Sequence, residues 1–264
     1  MRESIQEITE YMREHASRDL TIGELAQYFG YSKFHFSREF KKSIGVTPNE
    51  YWAALKMEQS ILSLDNSTSI LNAHLEAGYE STGTFTSNFV KNTGLTPGQF
   101  QTEMQRLGLY EVAKGYEAIV DGTVATHYSF NRKDPATHQE HRLFVECNAP
   151  EGFKGLIFVG MFVKPLPNHA PMIGKAMTHT RSCIIDQIPN GEYYPLVCAI
   201  KSSLNPLDYF HLDNALRDLR RTPYRFPLKQ DEKIVFNLRE AIPTDPAIPL
   251  SPVKLLADAL RRKQ

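Results

Sequence analysis

An internal repeat in the first hundred residues constrains this chain more than any other feature. Residues 20–52 read LTIGELAQYFGYSKFHFSREFKKSIGVTPNEYW, and residues 69–101 read SILNAHLEAGYESTGTFTSNFVKNTGLTPGQFQ. Gly30-Tyr31 falls on Gly78-Tyr79 at a spacing of 48. After one inserted residue, Phe36, Phe40, Lys42, Gly45, Thr47-Pro48 and Tyr51 fall on Phe85, Phe89, Lys91, Gly94, Thr96-Pro97 and Phe100 at a spacing of 49. Such self-similarity means one supersecondary unit used twice. Each copy reads as a short helix, a Gly-containing turn and a second helix that a glycine stops. Thr-Pro then starts the next helix, with Thr47 and Thr96 as N-caps. This is the helix-turn-helix arrangement, expected over 22–43 and 70–92. The Leu/Ala/Phe face of each first helix should pack on the Phe face of the second, with Gly30 and Gly78 permitting the turn. Helical spacing of Tyr31, Phe36, Phe40, Phe85 and Phe89 marks them as core rather than a stacking platform for single strands.

The outward face of the first unit's second helix carries Lys33, Phe34, Ser37, Arg38 and Lys41. Arg can pair with guanine through two hydrogen bonds, and Phe can contact a thymine methyl, so this face suits a major groove. Over residues 1–106 ten basic side chains stand against thirteen acidic ones, a net of −3. The basic charge is concentrated instead: Lys33, Arg38, Lys41 and Lys42 lie within ten residues, opposed only by Glu39. In the second unit Lys91 is the sole cation of the equivalent helix.

The duplicated unit, the GYSKFHFSREFKK run and the F-x-x-x-F-x-K-x-x-G-x-T-P signature together resemble the AraC/XylS family of bacterial transcription regulators, over about residues 4–106. The resemblance implies a double-stranded DNA-binding domain whose two recognition helices enter successive major grooves on one face of the duplex. It places Phe34, Ser37 and Arg38 at bases in the first unit, and Thr82, Gly83, Thr84 and Ser87 in the second. The family usually carries Arg where Ser87 stands, and another where Gln101-Thr102 stand. Their absence assigns strong base readout to the first unit. RNA polymerase, a small-molecule effector and a second copy of the chain are the partners implied.

Beyond a linking segment at 107–125 the pattern changes. Only Pro48 and Pro97 of the sixteen prolines precede residue 134. Residues 126–264 contain short runs of β-formers bounded by turn residues, at 143–145, 156–163, 182–188, 193–200 and 233–238. Asn190-Gly191 reads as a hairpin turn between two of them. The fold class expected is therefore an all-α N-terminal domain with two helix-turn-helix motifs, followed by a mainly β domain. Strand spacing near ten residues suggests a β-sandwich. The IFVGMFVK run and IPNGEYYPLV resemble transthyretin-type or carboxypeptidase-regulatory sandwiches. The alternative is a gyrase-inhibitor-like α+β domain, which needs two long amphipathic helices, and only residues 207–219 offer one. Residues 252–263 read as a terminal helix. Phe162, Tyr193, Tyr194, Tyr209 and Phe210 either line a ligand cavity or pack a core.

Composition removes several function classes. Hydrophobic residues make up 41% of the chain and charged ones 23%, which excludes disorder as the default. No apolar run approaches the roughly 18 residues of a membrane span, and the polar N-terminus lacks signal-peptide character. Three widely spaced cysteines fit reduced thiols, so a cytoplasmic location without membrane partners is expected. His138, His141 and Cys147 invite a zinc reading, but their spacing fits no common site, so neither metal nor cofactor is expected. No phosphate loop, GxSxG elbow or paired carboxylates appear. Cys147 and Cys183 do not stand in the Pro-Cys-His-Arg context of the repair methyltransferases that share this DNA-binding unit. No enzyme is expected. The reading is a sequence-specific DNA-binding transcription regulator whose C-terminal domain senses a ligand or mediates association. The alternative is a small-ligand- or carbohydrate-binding protein whose helical unit no longer reads DNA.

Overall fold

The computed structural model describes residues 4–18, 20–66, 70–76, 78–79, 81–106, 128–129, 141–178, 180–186, 188–203 and 205–250. The expected linker at 107–125, the terminal helix at 252–263, and His127, His138 and His179 lie outside these residues. The chain divides into two compact units. One joins residues up to 105 with two short segments of the later chain, 166–169 and 242–250. The other holds most of the rest.

In the first unit the described residues form seven helices: α1 (Ile5–Glu14), α2 (Ile22–Tyr28), α3 (Lys33–Ile44), α4 (Pro48–Asn66), α5 (Ile70–Glu76), α6 (Thr82–Thr93) and α7 (Pro97–Arg106). Their starts are written in the sequence. Ser4/Glu7 and Thr21/Glu24 form reciprocal capping boxes. Thr47 and Thr96 cap α4 and α7 with Glu50 and Gln99 answering, through backbone-to-side-chain bonds of 3.0–3.3 Å. Ser32 and Ser81 cap α3 and α6. These two helices have the same length of 12 residues and stop at Gly45 and Gly94, both in left-handed conformation. The turns into them sit at Gly30 (φ 72°) and Gly78 (φ 66°).

The repeat is equally exact in the core. Phe36–Phe40 and Phe85–Phe89 ring centroids lie 5.8 and 5.6 Å apart, and Phe40–Tyr51 and Phe89–Phe100 lie 5.5 and 5.3 Å apart. All six rings are buried, Phe36, Phe40, Phe85 and Phe89 as their spacing predicts, whereas Tyr31 is only half-buried against the edge of the cluster.

The two late segments, which the sequence reading places in the β domain, complete the first helix-turn-helix. Leu166 and Ala247 are fully buried in the cluster formed with α1, α2, α3 and α4. Residues 242–250 run without a strand ladder, so their carbonyls need other donors. Tyr51 donates its hydroxyl to the Pro243 carbonyl at 2.6 Å, with the Asp245 carbonyl at 3.0 Å. The Arg13 guanidinium donates to the same two carbonyls at 3.2 and 2.5 Å and pairs with Glu58 at 3.4 Å. Glu58 in turn accepts from the Ile248 amide at 3.4 Å.

The second unit is β-rich: β1 (Tyr128–Ser129), β2 (Leu143–Asn148), β3 (Gly155–Phe162), β4 (Ile173–Met177), β5 (Ser182–Ile185), β6 (Gly191–Lys201), β7 (Leu216–Leu219), β8 (Tyr224–Phe226) and β9 (Glu232–Asn237). One sheet runs β1-β4-β3-β6-β7, with β8 also on β6; the other runs β5-β2-β9. A single apolar cluster draws from both sheets, including Val145 and Phe236 of one and Val159 and Val197 of the other.

Two expectations are corrected. Asn190-Gly191 does not join a hairpin, because β5 pairs with β2 while β6 pairs with β3, β7 and β8. The chain crosses between sheets there, and a turn dipeptide permits reversal without selecting the partner strand. Residues 207–219 do not form an amphipathic helix; a 3-10 turn at Pro206–Tyr209 and β7 occupy them. The pairing of β7 with β6, from Leu196↔Leu219 to Ala199↔Leu216, overrides the local pattern. No α-helix occurs among the described residues of 141–250, so the two long helices of the gyrase-inhibitor-like alternative are missing there.

Candidate nucleic-acid interface

On α3 the residues Phe36, Phe40 and Ile44 face the core, which turns the opposite side outward. Phe34, Arg38, Lys41 and Lys42 are exposed there, Ser37 is half-buried, and Lys33, exposed in the first turn, lies nearer the core stripe and lines the neighbouring cleft. Phe34 keeps 89% of its surface in water. From Phe34 to Lys41 the helix rises about 10 Å, against a major-groove width of about 12 Å.

The charges on this face are free to engage a polyanion. Arg38 meets Glu39 at 3.5 Å, a solvent-exposed pair of the kind that contributes little. Arg38 also donates to His35 Nδ1 at 3.2 Å, which requires the imidazole proton on Nε2. Sequence reading left His35 out of the site, although its i, i+3 spacing from Arg38 is the signal that finds it. Among the described residues no carboxylate pairs with Lys33, Lys41 or Lys42.

The equivalent face of α6 has the same shape and different chemistry. Thr82, Gly83, Thr84, Ser87 and Lys91 are all exposed. At the 49-residue spacing Thr82 replaces Lys33, Gly83 replaces Phe34, Ser87 replaces Arg38 and Val90 replaces Lys41. Lys91 alone keeps its counterpart's charge. Thr84 is tied into the helix start: Ser81 Oγ accepts from its amide at 3.2 Å and donates to its hydroxyl oxygen at 2.9 Å.

Between the two helix-turn-helix motifs a cleft of about 340 Å³ is lined in part by Thr21, Lys33, Asn49, Trp52, Lys56 and Tyr79. Lys56, on α4, donates to the Gly78 carbonyl at 2.8 Å and lies 6.0 Å from the Tyr79 ring centre.

The aromatic side chains suggested for a ligand cavity are mostly held in packing. Phe162, Tyr193, Tyr209 and Phe210 are buried, and Tyr194 is half-buried. Tyr193 sits in the β-unit core with Phe226 at 6.0 Å, and the Tyr209 hydroxyl bonds the Ser203 backbone at 3.1 and 3.2 Å. The thiols are free, and burial pushes Cys147 up to about 12 and Cys183 and Cys198 up to about 11, so none is a thiolate at neutral pH. Among the described residues no group of three His, Cys, Asp or Glu side chains could hold a metal ion, and no helix is long and apolar enough to cross a membrane.

Comparison with known proteins matches residues 25–103 to a helix-turn-helix domain family. The MmsAB operon regulatory protein of Pseudomonas aeruginosa is 33% identical over 97 residues, which is 36% of this chain and 32% of that protein. An uncharacterised HTH-type transcriptional regulator of Bacillus subtilis, YbfI, is 29% identical over 77 residues, 29% of this chain and 28% of its own length. The chain thus spans about a third or less of these relatives. Among solved structures, an AraC-type transcriptional regulator from Chromobacterium violaceum aligns at 24% identity and TM-score 0.35, covering 38% of this chain and 89% of that one. The DNA-binding domain of AdpA, solved with a target DNA, aligns at 18% identity and TM-score 0.37, covering 39% and 93%.

Proposed function

We propose that this chain uses its AraC-type helix-turn-helix domain, residues 25–103, to bind double-stranded DNA as a transcription regulator. The observation that carries the reading is the outward face of α3, where Arg38, three unpaired lysines and a bare phenylalanine stand on a helix whose other side is core. Arg38 and Phe34 read base edges, and Lys33, Lys41 and Lys42 hold phosphates. The second unit orients the protein through Lys91, Thr82, Thr84 and Ser87, with Gly83 allowing close backbone approach. The β-rich unit senses a ligand or mediates association, with Tyr194 the candidate aromatic that keeps some exposure.

The test is salt-dependent binding to duplex DNA. Replacing Lys33, Lys41 and Lys42 together by Ala should lower the log–log salt slope by about 2.7, at about 0.9 per phosphate contact. An unchanged slope, or no duplex binding by the unmodified chain, would exclude the reading.

A further inference from the structure

The two turn glycines of the repeat do not do the same work. Both adopt positive φ, but a Cβ added at Gly30 would meet nothing within 4 Å. At Gly78 it would overlap the Ser17 carbonyl oxygen, just beyond α1, and would lie 3.5 Å from the Lys56 ammonium. The second unit's turn therefore rests directly on backbone of the first. Lys56 adds a second contact, donating to the Gly78 carbonyl at 2.8 Å. A hydrogen bond from an ionised donor is stronger than a neutral one and adds geometric specificity. Among the described residues this pair of contacts has no counterpart at Gly30.

We infer that Ser17, Lys56 and Gly78 form a seam that sets the distance and phase between α3 and α6, and so the register in which the second unit meets the DNA backbone. Lys56 is a positioning residue in this account. The inference rests on the DNA-binding reading for its consequence, and on the geometry alone for the rigidity itself. The turn at Gly78 immediately precedes Tyr79 and the Ser81 cap of α6, so a shift at the seam moves the start of the second recognition helix. The cleft lined by Lys33, Trp52 and Tyr79 opens beside this seam, between the two helix-turn-helix motifs.

Two measurements test the seam in the full chain. The first is the distance between spin labels at exposed Ser43 and Thr102, introduced as non-canonical residues so that the native thiols stay untouched. The free protein should give one narrow distribution. Lys56→Met and Gly78→Ala should lose it, and Lys56→Arg should restore it. The second is phosphate-ethylation interference on bound duplex, which reads backbone contacts irrespective of sequence. The unmodified chain should give two sharp clusters of contacts, and Lys56→Met should smear only the one made by the second unit. Equal distance distributions in all variants would overturn the seam. A broadened distribution with an unsmeared second cluster would overturn its role in register. If the unmodified chain binds no duplex while Lys56→Met broadens the distance, the seam stands and the DNA-binding reading falls.

Discussion

The two helix-turn-helix units share a skeleton and differ on their surfaces. Caps, lengths, stop glycines and the aromatic ladder repeat at 49 residues to within a few tenths of an ångström in ring spacing. Three of the four cations on the α3 face have no charged counterpart on α6. Packing positions are bound by shape, and one methylene too many or too few costs stability. Surface positions are bound only by what they touch, so the divergence marks a division of labour. The first unit carries charge and the arginine and phenylalanine that the proposed function assigns to base edges; the second carries hydroxyls, a glycine and one lysine.

A third difference lies in the core. Tyr51 and Phe100 are equivalent in the repeat, and only Tyr51 carries a hydroxyl. That hydroxyl meets residues 242–250, a segment the first unit engages through Arg13, Tyr51 and Glu58. Arg13→Ala should therefore have the largest effect on stability. It leaves the nearly buried Glu58 without its charged partner and takes the guanidinium away from the Pro243 and Asp245 carbonyls, costing about 3 kcal/mol, the low end for a broken buried pair because Arg13 keeps 26% of its side-chain surface in water. Denaturant unfolding would measure it. A loss below about 0.5 kcal/mol, as at ordinary surface sites, would mean that the segment adds nothing to the first unit.

Arg38→Ala should cost about 1–3 kcal/mol of specific DNA binding and relax preference at one base pair. Ser87→Ala, its counterpart, should leave the preference unchanged. Titrations against matched duplexes would break the comparison if both variants lost equally.

Alkaline pH probes the buried rings. Burial pushes both Tyr51 and Tyr79 up to about 12. In the unfolded chain a tyrosine ionises near 10. Each phenol therefore stays protonated in the fold while the unfolded chain releases its proton, and between pH 10 and 12 stability falls by about 1.4 kcal/mol per pH unit per tyrosine. Below pH 10 neither contributes a slope. Tyr51→Phe should flatten the stability curve in that window by one group's share, and so should Tyr79→Phe. A curve unmoved by Tyr51→Phe would contradict its burial against the 242–250 segment.

The smallest effect should be symmetrical. Thr47→Ala and Thr96→Ala each remove one side of a capping box and should each cost about 1 kcal/mol. Unequal losses in thermal unfolding would show that the shared skeleton is less equivalent than its geometry.

The helical half was almost wholly legible because its signals are local. Ser or Thr three residues before Glu or Gln, Phe at spacing four, and Gly at a helix stop each act within one turn of backbone. The outward face of α3 follows from the same periodicity, and only the pairwise spacing of His35 to Arg38 adds His35 to it. The 242–250 segment was not legible, since the partners of Pro243 and Asp245 lie about 190 or more positions away. The seam at Gly78 was hidden for the same reason: in sequence Gly30 and Gly78 look alike, and only the approach of Ser17 separates them. In the β half the strand runs were visible, but the crossing of β5 and β6 into different sheets depends on long-range pairing that a turn dipeptide cannot encode.

The most direct test of the division of labour is selection of binding sites from randomised duplex DNA by the full chain. Charge and base-reading groups on α3, against hydroxyls on α6, predict one sharply defined half-site and one degenerate half about one helical turn away. Two halves of equal information content would contradict it, and would mean that Thr82, Thr84 and Ser87 read bases as well as Arg38 does.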